Sequence, residues 1–239
     1  MLNVNTIYNC DCRALMDEIT RGGVRLLDGK VTNKVDFVLT DVPYGIGEDG
    51  AKNHSRGVNP NSKSSHAKAQ ATQFTPKNWD KERITKDYFD KMFEVSNNQI
   101  IFGGNYYTDY LYPSSCWIVW DKNNYGTDFA DCELAWTSFK SAVRKVKWTW
   151  NGMLQENMAN KEKRIHPTQK PVGMIEWIIQ KYTKEGDLIL DPFSGSGSIA
   201  IACRKNNRNY IACELDKEYY DLSIQRMEEY FAQQCLFWE

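Results

Sequence analysis

The stretch Leu188-Ile-Leu-Asp-Pro-Phe-Ser-Gly-Ser-Gly-Ser198 decides the reading of the fold, because an apolar strand ends there in an acid and a tight glycine turn before a helix. Ser198 to Arg204 reads as that helix, and Asn209 to Cys213 as a second apolar strand, which together make a β-α-β unit. In open α/β sheets ligands sit beyond the carboxyl ends of the strands, where glycine lets backbone approach them closely. The next strand runs Tyr210-Ile-Ala-Cys-Glu214 and so places a carboxylate where it can accept hydrogen bonds from a ribose diol. Only Gly195 and Gly197 are present; the third glycine of a dinucleotide fingerprint is missing, and no G-x-x-x-x-G-K loop for nucleoside triphosphates occurs. On this unit alone, NAD and S-adenosylmethionine both stand as cofactors.

Working outward, Val35 to Thr40 reads as a strand ending at Asp41, and Gln99 to Phe102 as another ending at Gly103-Gly104. Cys116 to Trp120, Cys132 to Phe139 and Val143 to Trp150 have the Trp, Val and Ile content of further strands. Helices are predicted over Cys12 to Ile19, Lys86 to Ser96, Val172 to Tyr182 and Glu218 to Phe231. At 239 residues with 41% hydrophobic content, the chain suits one substantial α/β domain, 1–239. No run reaches the roughly 20 apolar residues of a membrane span, and no leader pattern opens the sequence, so a cytoplasmic protein without a membrane partner is expected. Seven cysteines without a repeated CxxC pair fit reduced thiols rather than a disulfide framework or a metal site.

A net charge of −1 conceals two cationic stretches. Between 51 and 86 the eight residues Lys52, Arg56, Lys63, Lys68, Lys77, Lys81, Arg83 and Lys86 face only Asp80 and Glu82. Between 140 and 170 the eight residues Lys140, Arg144, Lys145, Lys147, Lys161, Lys163, Arg164 and Lys170 face only Glu156 and Glu162. Such stretches suit contact with phosphates, the alternative being two solvated loops. The interval 46–85 is poor in apolar residues and reads as a long mobile loop.

A second motif, Thr40-Asp-Val-Pro-Tyr-Gly45, joins an acid at a strand end to a stiffened turn and an aromatic ring. An exocyclic amino group of adenine or cytosine is a poor nucleophile, because its lone pair is delocalised into the ring. The carboxylate of Asp41 and the backbone carbonyl of Val42 can each accept one amino hydrogen, favouring a tetrahedral nitrogen. Pro43 disfavours helical geometry at Val42, and Tyr44 offers a face for a base. Base–aromatic stacking contributes roughly 1–3 kcal/mol, which helps offset extrusion from a duplex.

Together the two motifs resemble the amino-methylating DNA methyltransferases, whose Asp/Asn/Ser-Pro-Pro-aromatic pattern is approximated by Asp41-Val42-Pro43-Tyr44 with the first proline replaced. Asp191 to Gly197 looks like the family's S-adenosylmethionine loop, and His166-Pro-Thr-Gln-Lys-Pro171 like a stretch that precedes it in one subgroup. With the catalytic turn first, the order is similar to the family's β arrangement. The resemblance implies a Rossmann-like class I methyltransferase fold: a mostly parallel twisted sheet with an antiparallel strand, and helices on both faces. It implies S-adenosylmethionine as cofactor and DNA as partner. Asp41, Val42, Pro43 and Tyr44 would be catalytic, with Asp41 also bordering the cofactor. Asp191, Phe193, Gly195 and Gly197 would line its methionine part, Glu214 its ribose, Asp11 and Cys12 its adenine end, and Thr168 and Gln169 its carboxylate. Lys170 would face that carboxylate or DNA. His166 reads as a hydrogen-bonded structural histidine, and Asn105 as either a base-pocket residue or a simple turn.

The resemblance also places target recognition in a short segment, 140–165, with Lys140, Arg144, Lys145, Lys147, Lys161, Lys163 and Arg164 as DNA contacts. Asp as the motif's acid favours adenine N6 as the methylated atom of a flipped base, with cytosine N4 as the alternative. A catalytically silent DNA-binding subunit and a nicotinamide oxidoreductase are the readings from other classes. The intact Asp41 and glycine loop oppose the former, and the purposeless Asp-Val-Pro-Tyr opposes the latter. Dimers occur in the family, so a homodimer is compatible with the sequence, as is a restriction-modification setting.

Overall fold

The computed structural model describes residues 1–50, 74–125, 130–151 and 154–235. In chain order the elements are β1 (Leu2–Asn3), β2 (Thr6–Tyr8), α1 (Cys12–Gly22), β3 (Val24–Arg25), β4 (Val31–Thr32), β5 (Val35–Asp41), α2 (Lys86–Val95) and β6 (Ser96–Phe102). They continue with β7 (Trp117–Asp121), β8 (Cys132–Thr137), β9 (Arg144–Lys147), β10 (Trp150–Asn151), β11 (Leu154–Gln155) and α3 (Val172–Tyr182). β12 (Leu188–Asp191), α4 (Ser198–Lys205), β13 (Asn209–Cys213) and α5 (Lys217–Cys235) close the series.

Eight strands form one sheet in the order β2-β13-β12-β5-β6-β8-β7-β9. β8 pairs antiparallel with both β6 and β7, while the other neighbours run parallel. The expected mostly parallel sheet with an antiparallel strand is therefore what forms. Alternate residues serve opposite faces, as the two-residue strand period requires. Phe37, Leu39, Ile189, Tyr210 and Ala212 pack with α3 and α4, whereas Val38, Leu188, Leu190 and Ile211 pack with α1 and α2. Burial on both faces explains why these strands read as continuous apolar runs.

β12 and β5 are neighbours, but the chain leaves β12 through α4 towards β13 and leaves β5 through α2 towards β6. The chain thus diverges between them, which opens a crevice at their carboxyl ends, the place where such sheets bind ligands. Asp41 and Asp191 end these two strands, and the Thr40 hydroxyl donates to Asp191 Oδ1 at 2.9 Å, tying the two ends together.

Some expected boundaries shift. The strand expected over 143–150 stops at Lys147, and Trp150–Asn151 instead pairs with Leu154–Gln155 in a separate short hairpin. Short strands near the amino terminus, β1 to β4, were not foreseen. In the interval 46–85, residues 51–73, with Lys52, Arg56, Lys63 and Lys68, lie outside the described residues. Its two ends are fixed by Asp80: Oδ1 accepts from the N–H groups of Tyr44 (2.7 Å) and Gly45 (2.8 Å), and Oδ2 from that of Glu48 (2.7 Å). A short 3-10 turn, Asn78–Asp80, carries that carboxylate. Among the described residues no helix is long and apolar enough to cross a membrane, and no cluster of His, Cys, Asp and Glu is arranged to hold a metal ion.

Candidate active site

One cavity of about 270 Å³ lies over the crevice and is lined from both strand ends. Asp41, Val42, Pro43 and Tyr44 form one wall; Asp191, Phe193, Ser194 and Gly195 form the other. Asp11, Cys12, Thr168, Gln169 and Glu214 also line it. The structure thus brings together the residues expected to meet a base or a cofactor, except Gly197 and Asn105. Gly197 instead adopts φ +73°, donates its N–H to the Ser194 carbonyl and starts α4, so its part is to make the turn rather than to line the cavity.

The Asp41 corner is braced on all sides. The Tyr44 hydroxyl donates to Asp41 Oδ1 at 2.5 Å, and the Lys170 ammonium donates to Oδ2. The Tyr107 hydroxyl donates to the Pro43 carbonyl. Asp80 gathers the N–H groups beyond, as described above. The Tyr44 ring lies against Gly103, whose φ is +71° and where a Cβ would come within 1.9 Å of the ring, so only glycine admits the tyrosine there. Tyr106 stacks on Tyr44 with centroids 4.9 Å apart and planes 18° apart. Burial raises the Asp41 pKa against the opposing pull of Lys170. Burial also pushes the Tyr44 phenol well up, so its hydroxyl stays a donor.

The Asp191 corner is different. Oδ1 accepts from Thr40 and from the Phe193 N–H at 3.3 Å, while Oδ2 is buried without a partner, as is the nearby Ser194 hydroxyl. Desolvation raises the Asp191 pKa to about 7. Glu214 accepts from the Gly195 N–H and the Asp216 N–H, both at 2.8 Å, and burial pushes its pKa up as well. Asp11 caps α1 through the Arg13 N–H at 2.8 Å and pairs with the Arg13 guanidinium, which holds its carboxyl below the usual range. The donor set fits a cationic nucleoside cofactor: an orphaned buried carboxylate oxygen for an ammonium, and a second carboxylate at the next strand end for a diol.

Several expected roles change. Gln169 lines the cavity, but its amide accepts from the Ile165 N–H and donates to the Lys163 carbonyl, so it clasps its own loop instead of reaching for a cofactor carboxylate. Lys170 lines the cavity and is buried between Asp41 and Glu133, both of which it pairs with. Arg164 is half-buried over Phe74 and donates to the Pro167 carbonyl, which removes it from a phosphate-binding surface. Lys145 is exposed yet paired with Asp121 at 2.7 Å. Lys140, Arg144, Lys147, Lys161 and Lys163 are exposed. From the first cationic stretch, Lys77 pairs with Asp216 and Glu218, Arg83 with Asp109, and Lys86 with Asp90. Asn105 is exposed on the turn Gly104–Tyr106.

His166 proves to be a cavity residue that the sequence reading set aside. Its Nδ1 accepts from the Thr168 N–H at 3.3 Å, its ring packs against Trp79 and Tyr219, and burial drives its pKa down to about 3. It is therefore neutral, with the other ring nitrogen carrying the proton. Trp79, Asp80, Ile84, Tyr88 and Tyr219 also line the cavity and were missed. A lone tryptophan beside an acid in an apolar-poor stretch was the signal available for Trp79 and Asp80.

Comparison with known proteins points to the same fold. A family model described as DNA methylase, covering the N6 and N4 enzymes, matches residues 111–225. The type II methyltransferase M.HpaI of Haemophilus parainfluenzae is 25% identical over 250 residues, spanning 89% of this chain and 74% of that protein. The M1.HpyAVI–SAM complex superposes with a TM-score of 0.56 at 23% identity, over 93% of this chain and 98% of that one. PvuII DNA methyltransferase, described as cytosine-N4-specific, superposes with a TM-score of 0.55 at 14% identity, over 95% and 86%. The site and these matches define a class I methyltransferase fold. Residues 111–225 match the N6/N4 DNA methylase family, and the chain is similar to its members.

Proposed function

We propose that this protein is a site-specific DNA methyltransferase that moves a methyl group from S-adenosylmethionine to adenine N6 of a flipped-out base. The observation that carries the reading is that Asp41 to Tyr44 and Asp191 to Gly195 line one cavity from adjacent strand ends. When bound, S-adenosylmethionine supplies an electrophilic methyl group on a sulfonium. Asp191, with its unpartnered Oδ2, would hold the cofactor's ammonium, and Glu214 would hold its ribose hydroxyls. Asp41 and the Val42 carbonyl accept the two amino hydrogens of the base, which turns the nitrogen lone pair away from the ring. Tyr44 supports the base while its hydroxyl and Lys170 fix the carboxylate.

Lys140, Arg144, Lys147, Lys161 and Lys163 supply phosphate contacts, with Lys145 joining once it leaves Asp121. Asp as the motif's acid favours adenine. The fold does not discriminate, because PvuII methyltransferase shares it. Incubation with methyl-labelled S-adenosylmethionine and unmodified DNA, followed by digestion to nucleosides, is expected to give labelled N6-methyldeoxyadenosine. N4-methyldeoxycytidine would move the assignment to cytosine, and cofactor and DNA binding without label would mark a silent subunit.

A further inference from the structure

Lys170 is 6% exposed at its side chain and sits between two carboxylates from different strands. Its ammonium donates to Asp41 Oδ2 at the end of β5 and lies 3.1 Å from Glu133 Oε2 on β8, the antiparallel strand. Glu133 in turn pairs through Oε1 with Lys122, just beyond β7. Four charges of alternating sign, Lys122, Glu133, Lys170 and Asp41, therefore run from the antiparallel part of the sheet into the active site. The Lys170 ammonium also lies 5.3 Å from the Phe102 ring centroid and 5.9 Å from that of Tyr44. Its backbone carbonyl accepts from the Ser198 hydroxyl at 2.7 Å, which anchors the segment to α4.

A buried lysine has to be matched by negative charge, and one carboxylate would suffice. The second carboxylate changes what the lysine can do. If Lys170 faced Asp41 alone, it would neutralise the acceptor the chemistry needs. Shared with Glu133, it stays charged and in place while Asp41 keeps acceptor strength for an amino hydrogen. We propose that Glu133 and Lys170 are positioning residues for methyl transfer, forming with Lys122 a charge chain that sets the ionisation and orientation of Asp41. This rests on the reading of Asp41 as the amino-hydrogen acceptor.

The charged and titratable groups facing Asp41 are the Tyr44 hydroxyl, Lys170 and Glu133, with Asp191 beyond Thr40. Lys170 opposes the rise of the Asp41 pKa that burial causes, and Glu133 adds to that rise. The two positioning residues therefore act on Asp41 with opposite signs. The test is the pH profile of single-turnover methyl transfer at saturating cofactor and DNA, for wild type, Lys170→Met, Lys170→Arg and Glu133→Gln.

In Lys170→Met the acid limb is expected to move up by about one pH unit or more, with the rate at neutral pH falling about a hundredfold. Lys170→Arg keeps the cation and should return the limb towards wild type. In Glu133→Gln the limb is expected to move down, opposite to Lys170→Met. Limbs that stay at the wild-type position, or move the same way in both variants, would overturn the proposal. Cofactor affinity by calorimetry checks that each variant is folded. A wild-type protein that binds cofactor and DNA but transfers no methyl would defeat the reading of Asp41 itself, a distinct result.

Discussion

Asp41 and Asp191 end adjacent strands of one sheet and both are largely buried, yet their surroundings differ in kind. Asp41 carries its own cation, Lys170, and a phenolic donor, Tyr44. Asp191 has a threonine hydroxyl, one backbone N–H and an oxygen with no partner. Burying a carboxylate without a balancing charge favours its neutral form, and the Asp191 pKa rises accordingly to about 7. The same strand-end acid is thus complete within the protein on one side of the crevice and incomplete on the other. A self-sufficient carboxylate suits repeated chemistry on a neutral base, and an unbalanced one suits a ligand that brings positive charge.

The comparison can be broken at either corner. Asp41→Ala should lower the single-turnover transfer rate by about 10³-fold while changing cofactor affinity less than about threefold, as removal of a polar group acting on the reacting atoms does. Asp191→Ala should weaken the cofactor by about a hundredfold in calorimetry.

Wild-type cofactor affinity should also depend on pH. Below about 7 the free Asp191 holds a proton that a cationic ligand must expel, so affinity rises with pH and levels above that value. Titrations in buffers of different ionisation heats should register proton release at pH 6 and little at pH 8. For stability the sign is the reverse. The folded pKa lies above the unfolded value of about 3.9, so the native state holds the extra proton and this site's contribution declines as pH rises from about 4 to about 7.

Smaller effects sharpen the picture of what braces the Asp41 corner. Asp80→Ala frees three N–H groups of the turn and should cost about 2 kcal/mol in denaturant unfolding, the neighbouring loop relaxing enough to admit water. On the DNA side, Lys147→Ala and Lys163→Ala should each reduce the salt slope of binding by about 0.9 in gel shifts. Lys145→Ala should reduce it less, because Asp121 competes for that ammonium.

The β12-α4-β13 unit was legible because strand and helix periods change at a glycine turn, and both are local properties of the chain. Asp41 to Tyr44 was legible as a chemical motif for the same reason. Glu133 was not: its meaning comes from Lys170, 37 positions away, across a pairing that only the antiparallel strand creates. Asp80 likewise acts on N–H groups about 35 positions earlier in the chain. Gln169 and Arg164 misled because a family motif locates a segment but does not say which way each side chain turns. Strands as short as Thr6–Tyr8 carry too few residues to show a period, and this one is defined by its pairing with β13.

The division between the corners is tested most directly by single-turnover methyl transfer to unmodified DNA as cofactor concentration is raised, for Asp41→Ala beside Asp191→Ala. The expected result is that Asp191→Ala climbs towards the wild-type rate once its weakened site is filled, while Asp41→Ala stays about 10³-fold below it at every concentration. An Asp41→Ala protein that recovers with added cofactor would contradict the assignment of the chemistry to that corner.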